Sequence, residues 1–401
     1  MPTGKVFRTL LLYRVGATLS YQVMMVAVGW HLYSLTNSVV SLGLIGLAEL
    51  VPYFALALYA GHAVDHYSRK WISAIACCIH IGVALFLVTI ALNWFTAAAS
   101  LIYTAVAFIG VGRALLRPSF HALFGQIIPR EHLSRYTAYS TSAFQICVVA
   151  GPGLGGLMIG FAGLAWTYAL AAAFGAIGLY GVSFIKAKSE STNALSTHFF
   201  KSFLQGFEYV RRHELILSIM ALDMFAVLFG GAVSILPAFV REILHAGPEM
   251  LGILRAAPAA GAAIIGIYLA RRPPLTNSGR QLLVAVTGFG ISIMAFGLSS
   301  APWLCACFLF ISGCCDSYSV VIRGSVMQLT TPDHMRGRIS AINGIFIGSS
   351  NELGALESGV AASLLGLVPS IVFGGAITLL VVLITYQLAP HLHKLNLKDL
   401  S

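Results

Sequence analysis

The sequence predicts an all-α membrane protein, and three observations lead to this fold class. Hydrophobic residues fill 58% of the 401 positions, whereas only 9% of the positions are charged. The apolar residues form long runs, and most charged residues fall in the short intervals between them. A bilayer core of about 30 Å is crossed by about 20 apolar residues in an α-helix, which is the length of these runs. The composition is too apolar for a soluble domain.

We predict twelve membrane-spanning helices, numbered spans 1 to 12. They cover 9–33, 40–63, 71–94, 98–122, 138–161, 164–185, 214–239, 247–270, 281–300, 302–327, 339–363 and 368–389. The longest interval, the cytoplasmic linker 186–213, separates an N-terminal six-helix bundle, 1–185, from a C-terminal one, 214–401. The second part of this linker has apolar and basic residues at helical period, which predicts an amphipathic helix on the inner leaflet. A partner-binding role is the alternative.

The distribution of basic residues predicts that both termini are cytoplasmic. With the N-terminus inside, all but five of the 24 Lys and Arg residues lie in the cytoplasm, where positive charge is retained. Arg241 lies outside, and the other four fall within spans: Arg14, Arg113, Arg255 and Arg323. The net charge of +10 is therefore a topology signal, and no soluble basic face is present for nucleic acid. We expect a multi-pass protein of the bacterial inner membrane.

Several classes of site are not expected. All seven cysteines fall within predicted spans, so we predict neither disulfides nor a zinc site. The first apolar run is too long for a signal peptide and is not followed by a cleavage site, so we expect it to remain as span 1. We expect no metal or cofactor, and a monomer in the lipid bilayer.

The two halves of the chain resemble each other. A shift of 203 residues aligns Pro129–Arg135 with Pro332–Arg338 and Gly151 with Gly354, and a shift of 209 residues aligns Leu42-Gly43 with Leu251-Gly252. Internal repeats are typical of secondary transporters, in which the substrate site lies between the repeats near the bilayer midplane.

Two motifs carry a resemblance to a known family. The segment from Gly61 to Lys70, with Asp65 and Arg69 between them, resembles the Gly-x-x-x-Asp-Arg-x-x-Arg-Arg/Lys loop of the major facilitator superfamily, although His66 replaces the usual Arg. The resemblance covers the whole chain, and it implies two pseudo-symmetric six-helix bundles. It also implies that Gly61, Asp65, Arg69 and Lys70 form a cytoplasmic gate at span 11. The alternative is a solvated turn.

Span 5 carries the second motif, with Gly151, Pro152, Gly155 and Gly156. It resembles the Gly-Pro-x-x-Gly-Gly signature of exporters and antiporters of this superfamily. Glycines at this spacing let helices approach closely in lipid. Span 8 has a matching small-residue surface, 256–263, and the two surfaces would form a rocking interface.

Shorter stretches resemble the enterobactin-exporter branch of this superfamily. They are 35–38, 221–231, 254–258 and 336–338. The branch exports siderophores and assorted drugs. The segment 113–118 keeps the Arg expected in span 4 but lacks the Gln-Gly that often follows it.

The ionisable residues inside the spans are the main candidates for function, because such residues are costly in a bilayer. The repeat shifts align Arg113 with Asp316 and Arg14 with Asp223. The resemblance implies that their spans line a central cavity, with two arginines facing two aspartates in its cytoplasmic half. We predict that these pairs close the cavity and that protonation of an Asp opens it. A static ion-pair lattice is the alternative.

A second acidic cluster is predicted from Glu49, Glu352 and Glu357, which we place towards the periplasmic side. Two close carboxylates would share a proton, or Arg255 would neutralise one of them. We expect Arg323 to reach the cytoplasmic headgroups. Possible substrate contacts are Tyr13, Gln22, Trp30 and Gln145.

These observations favour a secondary transporter that exports a siderophore-like or drug-like small molecule by proton antiport with alternating access. Uptake or facilitated diffusion is the first alternative. A membrane enzyme or receptor is a distant alternative, because the sequence shows no clustered nucleophile and base and no sizeable soluble domain.

Overall fold

The computed structural model describes residues 3–185, 199–272, 274, 276–393 and 395–399, and this part of the chain is nearly all helical, without a strand. The helices of the first half are α1 (Thr3–Thr36), α2 (Val39–His66), α3 (Arg69–Ala91), α4 (Ala98–Ile127), α5 (Leu133–Ser183) and α6 (Phe199–Arg212). Those of the second half are α7 (Glu214–Gly230), α8 (Leu236–Glu242), α9 (Pro248–Arg271), α10 (Ser278–Leu298), α11 (Pro302–Thr330), α12 (Asp333–Leu365), α13 (Leu367–Leu388) and the short α14 (Pro390–His393).

Ten helical segments of the described chain are long and apolar enough to cross a membrane. One of them, Arg135–Ser183, contains two predicted spans joined at Gly163, which has φ +83° and kinks α5. That backbone conformation is open to glycine and strained for other residues. The ten segments do not include α12, whose sequence contains Glu352 and Glu357. The number twelve therefore stays a prediction, although each predicted span overlaps a helix.

Helix ends differ from the predicted ones where polar residues continue a helix beyond its apolar run. α1 begins at Thr3 rather than residue 9, α12 begins at Asp333 rather than residue 339, and α4 ends at Ile127 rather than residue 122. Hydropathy detects the apolar part of a helix, and the backbone hydrogen bonds continue into the polar turns that follow. Because α4 is longer, Arg113 lies farther from the end of its helix than the predicted end at residue 122 implied.

The chain divides into two compact units. Unit 1 comprises the described residues of Met1–Leu195 and His245–Ala256, and unit 2 comprises those of Ser196–Leu244 and Ala257–Ser401. The first turns of α9 belong to unit 1, whereas the predicted boundary assigned all of 214–401 to one bundle. Packing explains the assignment, because a Cβ atom added to Gly156 of α5 would overlap the backbone of Gly252 on α9.

Unit 1 has a core between α1, α3, α4 and α5. Its buried side chains include Leu10 and Tyr13 of α1, Cys77 of α3 and Leu123 of α4. The Tyr13 hydroxyl lies 3.3 Å from Ser119 Oγ, which satisfies a polar group inside this apolar cluster.

Unit 2 has a core that includes α6. Val210 of α6 is 2% exposed and belongs to the same buried cluster as Ile339 and Ile342 of α12. Arg338 Nη1 donates to Gln205 Oε1 at 2.8 Å, and the Tyr209 hydroxyl donates to the Thr330 carbonyl at 3.2 Å. A helix therefore occupies the predicted amphipathic segment, and part of its apolar stripe packs against its own unit. Its position on the inner leaflet stays a prediction.

The C-terminal segment also belongs to the core of unit 2. Leu392, Leu395 and Leu397 are buried in its cluster. The Gly279 amide at the start of α10 donates to the Leu395 carbonyl at 3.0 Å, which holds the segment against α10.

Candidate functional site

An ion pair between a buried carboxylate and an arginine that is 37% exposed lies inside unit 1. Arg113 of α4 donates from Nη1 to Glu49 Oε1 of α2 at 2.6 Å, and the Tyr21 hydroxyl of α1 donates to the same oxygen at 3.0 Å. Arg113 Nη1 also donates to the Tyr21 hydroxyl oxygen at 3.3 Å. The Glu49 side chain is 2% exposed, so its charge depends on these donors. We call these three residues the Glu49 cluster.

A glycine permits the close approach of the helices that carry this pair. A Cβ atom at Gly110 would overlap the Glu49 carbonyl oxygen, so α4 and α2 touch through their backbones at this level. Arg113 lies three residues further along α4, about one helical turn away, and reaches the Glu49 carboxylate from there. Its guanidinium carbon lies 5.3 Å from the Tyr53 ring centre and 5.6 Å from that of Tyr21.

This geometry corrects the depth predicted for two residues. The sequence predicts Arg113 in the cytoplasmic half and Glu49 towards the periplasmic side, but atoms 2.6 Å apart lie at one level. The error arose because α4 continues to Ile127, which places Arg113 near the middle of the helix. Arg113 thus belongs with Glu49, a residue that was assigned to a different cluster.

Two other arginines of unit 1 lack an acidic partner among the described residues. The Arg14 guanidinium carbon lies 4.2 Å from the Phe120 ring centre and 4.8 Å from that of Phe144. Cation–π contacts of this kind stabilise a charge without neutralising it. The Nε atoms of Arg14 and Arg255 are buried and have no hydrogen-bond partner.

A second cluster of charges lies inside unit 2. Arg323 of α11 pairs through Nη1 with Asp223 Oδ1 of α7, and its Nη2 lies 4.0 Å from Asp316 Oδ1 on α11. The side chains of Arg323 and Asp223 are 8% and 11% exposed, whereas that of Asp316 is 47% exposed. We call these three residues the Arg323 triad. One guanidinium serves two carboxylates here.

A small cavity adjoins the triad. Asp223, Asp316, Cys315, Ser319 and Phe289 contribute to its wall, and its volume of about 10 Å³ is close to the space needed by one water molecule. Both carboxylate residues of the triad thus line the same cavity.

The prediction for Arg323 was wrong. Its side chain is buried and paired, and it does not extend to the headgroups as expected. A signal was present in the sequence, because Asp316 and Arg323 are seven residues apart and therefore lie on one face of a helix. Tyr21, which contacts Glu49 and Arg113, was also missed.

The predicted gate is described only in part. α2 continues through Gly61 and Asp65 to His66, but the side chains of this stretch lie outside the described residues. Arg69 begins α3, and Lys70 Nζ donates to the Ser183 carbonyl of α5 at 2.6 Å.

The glycine motif of α5 lies where helices approach closely. A Cβ atom at Gly151 would overlap Gln22 of α1, and one at Gly155 would lie 3.3 Å from the Val23 carbonyl oxygen. The Pro152 carbonyl faces Gly252 of α9. In unit 2, the repeat-related Gly354 of α12 approaches the backbone of Leu228 on α7 in the same manner.

The remaining predicted residues belong to neither of the two clusters. Glu352 and Glu357 are on α12 of unit 2, and both are partly exposed. Among the possible substrate contacts, Tyr13 is buried in the core of unit 1, Gln22 and Trp30 of α1 are partly exposed, and Gln145 of α5 is exposed.

Comparison with known proteins identifies the relatives of this chain. The enterobactin exporter EntS of Citrobacter koseri is 26% identical over 373 residues, which cover 90% of this chain and 88% of that protein. EntS of Escherichia coli O1:K1 has the same identity and coverage.

Solved structures share the fold at low sequence identity. A POT family transporter in complex with 5-aminolevulinic acid has a TM-score of 0.75 at 12% identity, covering 96% of each chain. A D-xylose–proton symporter has a TM-score of 0.72 at 12% identity, covering 97% of this chain and 99% of that one. The chain thus has the major facilitator fold of a multi-pass membrane transporter.

The sequence profile of the transmembrane secretion effector family matches residues 3–400. The chain belongs to this family.

Proposed function

We propose that this transmembrane secretion effector exports a small organic molecule, siderophore-like or drug-like, across the bacterial inner membrane in exchange for protons. Exporters related over 90% of the chain support the direction of transport. The Arg323 triad is the observation that carries the proposal of proton coupling.

The triad has the composition that a proton switch needs. A guanidinium that pairs with two carboxylates leaves one negative charge in excess, and an unbalanced charge in a bilayer is costly. A proton bound by Asp316 removes this excess, and Arg323 then pairs with Asp223 alone. Asp316 is suited to bind the proton because it is the more exposed carboxylate and lines the cavity.

The proposed cycle links this proton to the position of Arg323. When Asp316 is charged, it attracts the guanidinium, and when it is neutral, Asp223 holds the guanidinium. A shift of Arg323 between the two carboxylates changes the contact between α11 and α7. Alternating access uses this change, so a proton enters from the periplasm as substrate leaves, and the proton is released to the cytoplasm.

Reconstituted protein tests the proposal. Proteoliposomes with an imposed pH gradient are given enterobactin or ethidium as the probe, and proton movement is followed with a pH-sensitive dye. Antiport predicts that at least one of the probes collapses the pH gradient. The gradient should persist in proteoliposomes that contain the wild-type chain but no probe. If at least one probe crosses the membrane but no proton movement accompanies it, the chain is a facilitator and the coupling proposal fails.

The direction of transport is tested in membrane vesicles, and the substrate class is tested with growing cells. Inverted membrane vesicles energised by respiration accumulate the probe if the chain exports it, and right-side-out vesicles accumulate it if the chain is an uptake system. Culture media of a deletion strain are compared with those of the parent under iron-limited and iron-replete growth. A compound lost from the medium only under iron limitation supports a siderophore, and loss in neither condition removes that preference.

A further inference from the structure

Three basic side chains gather around one aromatic ring in unit 1. The Arg14 guanidinium carbon of α1 lies 4.2 Å from the centre of the Phe120 ring of α4, and the His121 ring centre lies 5.7 Å from it. Arg117 lies three residues before Phe120 and four before His121, so α4 presents it on the same face. We call Arg14, Arg117 and His121 the Arg14 patch.

No carboxylate pairs with the Arg14 patch among the residues that the structure describes. The carboxylates of unit 1 whose side chains are described contact other residues, and they are Glu49 beside Arg113, Glu131 beside His132 and Glu249 against Gly160 of α5. The Arg14 Nε atom is itself inaccessible and has no hydrogen-bond partner. The patch therefore carries positive charge in excess.

The patch lies on the side of α4 that is turned away from lipid. Arg117 and His121 are both exposed. Phe108 lies nine residues before Arg117, which is half a turn round the helix axis, and its apolar ring is 52% exposed. An exposed phenylalanine is suited to lipid, whereas an arginine within a span needs water or a partner. The face with Arg117 and His121 is therefore the one suited to water.

The patch also lies where an exporter would take up its substrate. Arg117 lies ten residues, about 15 Å, before the end of α4 at Ile127, and this end is cytoplasmic in the predicted topology. The Phe144 ring of α5 lies beside Arg14, with its centre 4.8 Å from the guanidinium carbon, and this side chain is 37% exposed. Donors and an accessible aromatic ring thus lie together.

This arrangement favours an organic anion. A guanidinium offers a planar fork of N–H donors that matches a carboxylate or phenolate. The rings beside Arg14 stabilise its charge through cation–π contact and do not neutralise it. An acidic group that reaches the patch supplies the missing counter-ion, whereas an organic cation is repelled.

We propose that the Arg14 patch binds the acidic group of the transported molecule, and that the chain therefore selects organic anions over neutral and cationic molecules. This inference rests on the proposed transport function and names its substrate class. An anionic lipid headgroup has the same chemistry, but the patch lies opposite the lipid-facing side of α4.

Benzoate, benzamide and benzylammonium are matched probes, because they share a ring and differ in charge at neutral pH. Their binding to the purified chain in phosphatidylcholine nanodiscs is measured by calorimetry, with empty nanodiscs as the blank. We expect benzoate to bind about 10- to 100-fold more tightly than benzamide, as a hydrogen bond to a charged group provides, and benzylammonium to bind most weakly. Equal affinity for the three probes, or no binding of benzoate, overturns the proposal.

Variants locate the site. Arg14→Gln and Arg117→Gln are each expected to reduce the preference for benzoate, and the double variant to abolish it, while the affinity for benzamide stays unchanged. Arg14→Lys keeps the charge and should retain part of the preference, which separates recognition of charge from a folding defect.

Arg135→Gln is the matched control for these variants. Arg135 is also an arginine of unit 1 that lies over an aromatic ring, with its guanidinium carbon 5.7 Å from the centre of the Tyr139 ring, and it is not part of the patch. Its replacement should leave the preference for benzoate intact. An equal loss in Arg135→Gln, or the full preference in the double variant of Arg14 and Arg117, refutes the assignment.

Native mass spectrometry separates a substrate site from a lipid site. The wild-type chain and the double variant are purified from membranes that contain phosphatidylglycerol, and the lipid molecules bound to each are counted. A substrate site predicts equal numbers for the two chains. Loss of phosphatidylglycerol from the double variant would assign the patch to a lipid headgroup and overturn the proposal.

The result is independent of proton coupling, because equilibrium binding in nanodiscs needs neither a gradient nor transport. A chain that prefers benzoate but moves no protons keeps the Arg14 patch and loses the antiport proposal. A chain that exchanges protons for a probe but does not prefer benzoate keeps antiport and loses the patch.

Discussion

The two units each contain an arginine paired with a buried carboxylate, but the two clusters differ in balance. In unit 1, Glu49 receives donors from Arg113 and Tyr21, so one carboxylate has several partners. In unit 2, Arg323 is shared between Asp223 and Asp316, so one cation serves two acids. The first arrangement has a single favourable state. The second has two, because the guanidinium can favour either carboxylate.

The carboxylates of the two clusters also differ in their exposure. The Glu49 side chain is 2% exposed, whereas Asp316 is 47% exposed and lies at a cavity. A proton must arrive through water, so a sealed carboxylate is suited to a structural role and an accessible one to a switch. The comparison teaches that burial of a charge in a membrane protein is by itself a poor guide to coupling.

The largest effect is expected for Glu49→Gln. This change leaves Arg113, whose side chain is 37% exposed, without its carboxylate, so we expect a loss of about 2–3 kcal/mol. The thermal unfolding midpoint of the purified chain in detergent measures the loss. Glu131→Gln, at an exposed loop position, is the matched control and should leave the midpoint unchanged. A midpoint for Glu49→Gln equal to that of the control would contradict a structural role.

Asp223→Asn should cost less than Glu49→Gln, although both remove a buried carboxylate. Asp316 remains available to Arg323 after the change, so we expect a loss of about 1–2 kcal/mol. The double variant Asp223→Asn/Asp316→Asn removes both acids and should approach the loss seen for Glu49→Gln. If the single and double variants unfold at the same temperature, Arg323 does not use Asp316 as a second partner.

Asp316→Asn should affect transport rather than stability. The side chain is half exposed and lies 4.0 Å from Arg323, so we expect a change in stability below about 1 kcal/mol. Proton-driven efflux should fall by about tenfold or more, while exchange of probe without a gradient continues. Parallel assays of gradient-driven efflux and of counterflow in proteoliposomes separate a loss of proton coupling from a loss of substrate binding. Equal loss in both assays would indicate a binding or folding defect.

The smallest effect is expected on α6, where Glu208 contacts both Arg212, at 2.6 Å, and Arg211, at 3.8 Å. Here one carboxylate is shared between two arginines on the surface, but solvent screens the attraction between them. The hydrogen bond from Arg212 lowers the pKa of Glu208 below its usual value of 4.5. Its contribution is therefore present above that pH and lost as pH falls below it.

Glu208→Gln tests this sign. We expect at most a slight lowering of the unfolding midpoint at pH 7, and we expect this difference from wild type to disappear as the pH falls below 4.5. A clear loss of stability at pH 7 would mean that charge sharing stabilises the chain without burial, which would remove the contrast drawn between the two buried clusters.

The sequence by itself determined the helical membrane fold, because a run of about 20 apolar residues has few other stable forms. It also singled out the ionisable residues within the spans, of which Arg113, Asp223 and Asp316 lie in the two clusters. The sequence also identified the glycines of α5, because small residues at fixed spacing permit close helix packing in lipid.

Only the tertiary structure decided which charges are partners. The repeat shifts aligned Arg113 with Asp316 and Arg14 with Asp223, but alignment between repeats reports equivalent positions and not contacts. The partner of Arg113 is Glu49, because Gly110 brings α4 against α2, and the partner of Asp223 is Arg323, because α7 lies beside α11. Ion pairs depend on distances of a few ångströms between different helices, and those distances are set by packing and by helix ends that hydropathy does not locate.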